Sequence, residues 1–464
     1  MDMKSISKLI LASAIATTLA ACNSDNDNLM TDNNETSYLR VFHASPDAPK
    51  VDVWLDGKKA LEGVDYQQTS GQISVSSGNH TVQVEAILAN GSTVTVLDET
   101  DLDLMAGKEY NVIATGKAAL LGSNETNAFG PLIVARDYSM PNGARVQAVH
   151  SAPDAPMVDV FITAFNAELS AATPFADDIV YKDSTEAVEV PAGDYQIRIT
   201  DPNDSSVVYY DSGEVNVPAG SDWVALATNN TAGGDAPVTL VIDTGNSTVV
   251  AHDINTGSDI RVVHTISDAP AVDVWVNGDA PAMGSALYNL DFKAFTDYLT
   301  IPAAEYTFNA APTGTTNVVD ALTLTATLDN AMSYTAIAIG NLGDATENDE
   351  LYVIVDDKRR VATEAKLRAI HASTLAGNVD IYLSSDATPS DDDTIIANVA
   401  YKGDTTLLSI MAGEAYVMVT PTGDMNTIAI GPVMLDFKAG TITTLVAIDD
   451  PDSSTSVGVI SIDD

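Results

Sequence analysis

The chain has 464 residues, more than one ordinary domain needs, since domains run to roughly 100 to 200 residues. Its 21 Lys and Arg against 65 Asp and Glu give a formal net charge of -44. Nucleic acid and anionic membrane surfaces are repelled by such a charge, so no nucleic-acid partner is expected; the excess reads first as a solvated, soluble surface.

In chain order, the N-terminus comes first. Lys4 and Lys8 precede an apolar run, Leu9 to Leu19, too short to span a bilayer comfortably, and small residues follow. Leu19-Ala20-Ala21-Cys22, which contains the single cysteine, resembles the lipobox of bacterial lipoproteins. The resemblance implies a signal peptide over 1–21, cleavage before Cys22, a diacylglyceryl thioether on its sulfur and an acylated N-terminus. Several acyl chains on one residue supply the multiple anchors that stable membrane attachment needs. Asn23 stands where an aspartate would favour inner-membrane retention, so the expected location is the cell envelope, lipid-anchored, at the outer membrane. With Cys22 lipidated, the domains have no disulfide and each must stand on its own core. Residues 22–37 read as a lipidated flexible tether. Asp25 and Asp27 suggest a calcium loop, but Leu29 and Met30 replace the third oxygen ligand and the glycine.

Next come four copies of one unit. HASPDAPKVDVW from His43 returns as HSAPDAPMVDVF from His150, HTISDAPAVDVW from His264 and, altered, HASTLAGNVDIY from His371. The anchors lie 107, 114 and 107 residues apart, a domain's length rather than a solenoid's. Nine residues after each histidine stands Asp52, Asp159, Asp273 or Asp380, and two further on Trp54, Phe161, Trp275 or Tyr382. Tyr66, Tyr181, Phe292 and Tyr401 each precede a turn position, Gly78, Gly193, Ala304 and Gly413, by 12 residues.

Within a copy, Leu39, Val41 and His43 alternate with Arg40 and Phe42, and Val51, Val53 and Leu55 alternate with Asp52 and Trp54, as in strands with one face toward a core. Asp56-Gly57 and Asn277-Gly278 supply tight hairpin turns. Short strands at short intervals and no capped helix predict an all-β chain: a tandem array of four immunoglobulin-like β-sandwich domains, at 38–140, 144–250, 258–357 and 366–464. Lys358, Arg359 and Arg360 then fall in an exposed, protease-sensitive joint. The His-Ala-Ser-Pro-Asp-Ala-Pro-x-Val-Asp-Val string, with its aromatic and later Pro-Ala-Gly-x-Tyr turn, resembles the bacterial domain-of-unknown-function family numbered 4397. The resemblance implies export or surface attachment and brings no activity with it.

Do the repeated residues carry chemistry? His43, Asp47 and Asp52, with His150, Asp154 and Asp159, then His264, Asp268 and Asp273, have the residue types of a general base or a zinc site. A hydrolase would need a nucleophile placed by the repeat, yet Ser45 becomes Ala152 and Ile266. The fourth copy keeps His371 and Asp380 without the middle carboxylate. The preferred reading is structural: each ring faces the core and bonds the following loop, while Asp47 and its equivalents accept N–H bonds in an Asx-type turn. Trp54 and Trp275 share a face with the aspartates, opposite the valines; open to solvent, such a face can stack on a sugar, and covered, it is packing. The acidic loop Ser385 to Thr394, with Asp391, Asp392 and Asp393, has the residue type for calcium but no ligand pattern. No phosphate loop, zinc-protease motif, nucleophile elbow or CxxC pair is present, so no cofactor is called for. The expected protein is a lipid-anchored envelope structural or binding module rather than an enzyme. Its partners are membrane lipid through the anchor and a polysaccharide or cell-surface protein.

Overall fold

The computed structural model describes residues 36–343 and 349–464, and among these no α-helix occurs, only strands and short 3-10 turns. The signal segment 1–21 and the lipidation residue Cys22 lie outside the described residues.

The first unit shows the plan. Its strands are β1 (Thr36–His43), β2 (Val51–Leu55), β3 (Lys58–Val64), β4 (Ile73–Ser76), β5 (Gly78–Ile87), β6 (Thr93–Leu104), β7 (Lys108–Thr115) and β8 (Gly130–Asp137). They form two sheets, β4-β1-β7-β8 and β3-β2-β5-β6. β1 runs parallel to β7, with His43 opposite Ala114, and antiparallel to β4. Between the sheets lie Leu39, Val41, Val51, Val53, Val82, Val84, Tyr110 and Val112. A β-sandwich results because the alternating apolar residues of both sheets have only each other to cover them. The plan recurs along the chain, with His150 opposite Ala227, His264 opposite Ala338 and His371 opposite Ala447 on the same parallel strand pair. A fifth strand, Thr248–Ala251, extends one sheet of the second unit, and the second sheet of the third unit has three strands.

Four expectations need correction. Thr36 and Ser37, placed in the tether, are already strand: they pair with Ser76 and Val75, and the Ser37 hydroxyl donates to the Met105 carbonyl at 2.7 Å. The Asn277-Gly278 turn forms, with φ of 52° and 85°, but no regular strand follows it, only isolated bridges such as Val276 to Asp279. The first strand is buried on both faces rather than one. The outward residues of its sheet meet the next unit, Phe42 of β1, Ile113 of β7 and Val134 of β8 packing on Val149, Val224, Leu226 and Val241. Val263, Ile337 and Ile354 likewise pack on Ile370, Val446 and Ile460. The units are therefore joined in consecutive pairs, and polar groups complete each seam. Arg40, Arg136 and Arg145 surround Glu109 and Asp222 in one; Arg261 meets Asp464 at 2.8 Å and Arg368 meets Asp356 at 2.6 Å in the other.

The fourth correction concerns the basic triplet. Arg360 is exposed, but Lys358 bonds Asp259 at 2.5 Å, and Arg359 turns back onto the first unit. Its guanidinium lies 5.1 Å from the Tyr66 ring centroid, meets Asp65 at 2.7 Å, and donates to the Pro46 and Ala48 carbonyls. Ala362 N–H adds a bond to the Asp47 carbonyl at 2.7 Å. A planar cation with several donors is suited to such a ring, carboxylate and carbonyl set, which pins the joint.

Candidate functional site: the histidine corner

Each repeated histidine ends the first strand of its unit and is buried, at 1–3% exposure. The alanine opposite on the parallel strand is small enough to leave room for the ring. Nε2 reaches the main-chain carbonyl six residues on: Pro49 at 3.0 Å, Pro156 at 3.1 Å, Pro270 at 3.2 Å and Gly377 at 2.9 Å. A carbonyl only accepts, so Nε2 carries the hydrogen and donates it. The aromatic that precedes the turn position by 12 residues stands edge-on to each ring: Tyr66, Tyr181, Phe292 and Tyr401 at centroid distances of 6.2, 6.4, 6.4 and 6.2 Å. Nδ1 accepts from Ile266 N–H in the third unit and from Ser373 N–H in the fourth, both at 3.3 Å. In the first two units Nδ1 is buried without a partner.

Burial disfavours the imidazolium, so all four rings are held below the ordinary histidine value, His43 to about 4. The rings are neutral at pH 7, and the nitrogen facing the loop is spent on a carbonyl. No serine, threonine or cysteine hydroxyl or thiol bonds any of the four among the described residues, so the arrangement lacks the nucleophile–base contact of a triad.

The aspartate nine residues on does a different job. Asp52, Asp159, Asp273 and Asp380 are buried and each accepts a backbone N–H at 2.7–2.9 Å, from Gly63, Asp178, Asn289 and Asn398 respectively. Those four donors share left-handed backbone, with φ of 62°, 52°, 55° and 58°. In the first, second and fourth units the strand register shifts at this point, a bulge whose freed N–H the carboxylate takes up. The second carboxylate oxygen bonds Lys59 in the first unit and the N–H of Gly314 or Gly423 in the third and fourth. The aspartate thus ties the second strand to its neighbours; it does not meet the histidine.

Asp47 and its equivalents bond far along the chain rather than in a local Asx turn. Asp47 accepts from Ala118 and Ala119 N–H at 2.7 and 3.1 Å, and Asp268 from Leu342 and Gly343 at 3.1 and 2.8 Å. Asp154 bonds the Asn229 amide at 2.8 Å and Lys117 of the first unit at 2.5 Å. Asp154 and Asp268 are exposed, whereas Asp47 is half-buried between the buried Pro46 and Ala48.

The fourth unit, where Leu375 replaces this aspartate, contains a residue that sequence reading missed. Asp449, at the end of the strand parallel to that of His371, bonds the N–H groups of Thr374 and Leu375 and the hydroxyls of Ser373 and Thr374. The carboxylate has moved from the loop to the strand opposite it and joins the same two segments. Its signal was the acid two residues beyond Ala447, where the other units have Gly116, Asn229 and Gly340. The left-handed donors had a signal too: each lies three residues before its edge-on aromatic and is Gly, Asp or Asn, the types that accept positive φ.

Trp54 and Trp275 are half-buried. Lys59 lies 5.4 Å from the Trp54 ring centroid, and Trp54 Nε1 donates to Glu85 at 3.1 Å. At the same position Phe161 and Tyr382 are buried. In the acidic loop, Asp393 accepts from Ser390 N–H at 2.7 Å, and among the described residues no group of three or more His, Cys, Asp or Glu is arranged to hold a metal. No helix among them is long and apolar enough to cross a membrane.

A solved structure of the Bacillus anthracis TIE protein aligns with 11% identity over 89% of this chain and 68% of that one, at a TM-score of 0.15, too weak a likeness to carry an argument. No curated protein matches. The family described as Domain of unknown function (DUF4397) matches residues 37–161, 144–255 and 258–382, well over half of the chain. A repeated corner of histidine, loop carbonyl and edge-on aromatic, set in tandem β-sandwiches, is what the matched stretches share, and the chain belongs to the DUF4397 family.

Proposed function

We propose that this chain is a lipid-anchored structural or binding protein of the cell envelope. Its working part is an array of four immunoglobulin-like β-sandwich domains, and Cys22 is its acylated anchor at the outer membrane. The observation that carries this reading is the histidine corner itself: in all four units the ring is neutral, buried and committed to a loop carbonyl, so the repeated motif is consumed in folding. Pairwise burial of sheet faces supports a rigid spacer, because apolar seams between consecutive units suppress independent motion. Ligands of such a protein meet its surface, and four copies raise avidity for a repetitive polymer if each binds weakly.

A second reading, glycan or surface adhesion, rests on Trp54 and Trp275, half-exposed on the outer face of the second sheet. Against it, Lys59 and Glu85 already occupy the ring and the N–H of Trp54. Replacing His150 by Ala is expected to lower unfolding stability by about 1–3 kcal/mol, the cost of an unsatisfied buried polar group. Unchanged stability with loss of a bound metal or an activity would overturn the reading. Palmitate labelling of the wild type and Cys22→Ala, with protease treatment of whole cells, tests the anchor; absence of Cys22-dependent label would refute it. A glycan array with the unlipidated chain separates the two readings.

A further inference from the structure

The sandwiches close their open edge differently, and the fourth keeps a cavity there. In the first unit only about 20 Å³ remains between the sheets, with Phe129 among the residues around it. In the second, Tyr210 is fully buried and its hydroxyl donates to the Ala251 carbonyl at 3.2 Å, on the extra strand Thr248–Ala251. In the third, Leu322 of the turn Asp320–Leu322 is buried against the core. In the fourth a cavity of about 110 Å³ lies between the sheets.

The cavity follows from side-chain size at matched positions. Strand register places Ile430, opposite Val419, where the second unit has Tyr210, opposite Ile199. Ser461, opposite Leu445, stands where the others have Ile133, Ile242 and Val353. Ala369 replaces Val41 and Val262, and Val459 replaces Leu240 and Leu351. The open side lies between the strands Ile430–Phe437 and Val457–Asp463, where Val433, Leu435 and Val459 are half-buried and Ser461 is exposed.

We propose that this cavity is a binding site for a small uncharged hydrocarbon about the size of a benzene ring. Its walls are aliphatic, and the two polar residues among them offer little: both ring nitrogens of His371 are engaged, with Gly377 and Ser373, and Ser461 sits at the rim. An apolar cavity of about 150 Å³ stays dry and takes benzene, and this one is of the same order. The second unit supplies an internal precedent, since an aromatic ring from the equivalent position occupies its inter-sheet space.

The test is calorimetric titration of the chain with toluene, with benzoate as the charged control. Saturable uptake of one toluene per chain, no uptake of benzoate, and at least tenfold weaker uptake by Ile430→Phe are expected. Ser461→Ile, a rim substitution to the residue that the first and second units already carry, provides the second variant should Ile430→Phe fail to fold. Absence of saturable toluene uptake, equal uptake of benzoate, or undiminished uptake by the variant that folds would each overturn the proposal.

Discussion

Lowering the pH from 7.5 to 4.5 is expected to cost the first sandwich about 2.5 kcal/mol through His43 alone. Burial is the main cause of its low value; the bond to the Pro49 carbonyl works the other way, and the nearby Arg359 guanidinium adds to the lowering. The folded ring titrates at about 4, whereas an unfolded histidine titrates near 6.5. Between those values the unfolded chain binds the proton and the native one does not. Stability therefore rises with pH across this window: it is fully present above 6.5 and is lost as the pH falls toward 4, by about 3 kcal/mol in all. The assay is equilibrium urea unfolding at each pH, followed by a hydrogen-exchange pulse at fixed pH read by mass spectrometry, so that peptides spanning 39–43 and 108–115 report the first unit separately. Surface carboxylates also titrate, and His43→Gln removes them from the comparison, because glutamine can donate to Pro49 but does not ionise here. The variant should start about 1 kcal/mol less stable at pH 7.5 and lose less on acidification. Parallel losses in wild type and His43→Gln would refute the reasoning.

Asp449→Ala is expected to destabilise the fourth unit by about 2–3 kcal/mol, because four donors of one loop lose a buried carboxylate; urea unfolding reads it, and a change within error would show the loop closes without it. Arg40→Met should cost the seam between the first two units about 3–5 kcal/mol, since the buried Asp243 loses the cation beside it and the buried Glu109 loses one of those around it, with the loss measured by calorimetry. Arg359→Ala should raise trypsin cleavage after Lys358 and Arg360 by about 5–30-fold, as release of the joint from Tyr66 and Asp65 removes about 1–2 kcal/mol of local closure. Rapid cleavage of the wild type there would restore the exposed joint.

The candidate site was legible to different depths. His43 and Asp52 stand nine residues apart in every copy, and Tyr66 and its counterparts stand 12 residues before a turn position, so the corner could be located before any coordinates. The donors Gly63, Asp178, Asn289 and Asn398 lie 11 to 19 residues beyond their aspartates, because the intervening connection varies in length, and only their spacing to the following aromatic is constant. Asp449 could not be inferred from the loop it holds, since the bond spans 74–76 residues of chain.

The sequence by itself determined the repeat, its β character and the inward histidine, because period-two alternation and turn chemistry are local properties that survive in a linear text. Tertiary structure alone decided which outward faces became seams, where Arg359 docks and which sandwich keeps an empty interior. Those outcomes depend on surfaces meeting after folding: Phe42 and Arg40 read as solvent-facing residues until the neighbouring unit covers them, and a missing ring at Ile430 leaves a space only once two sheets enclose it.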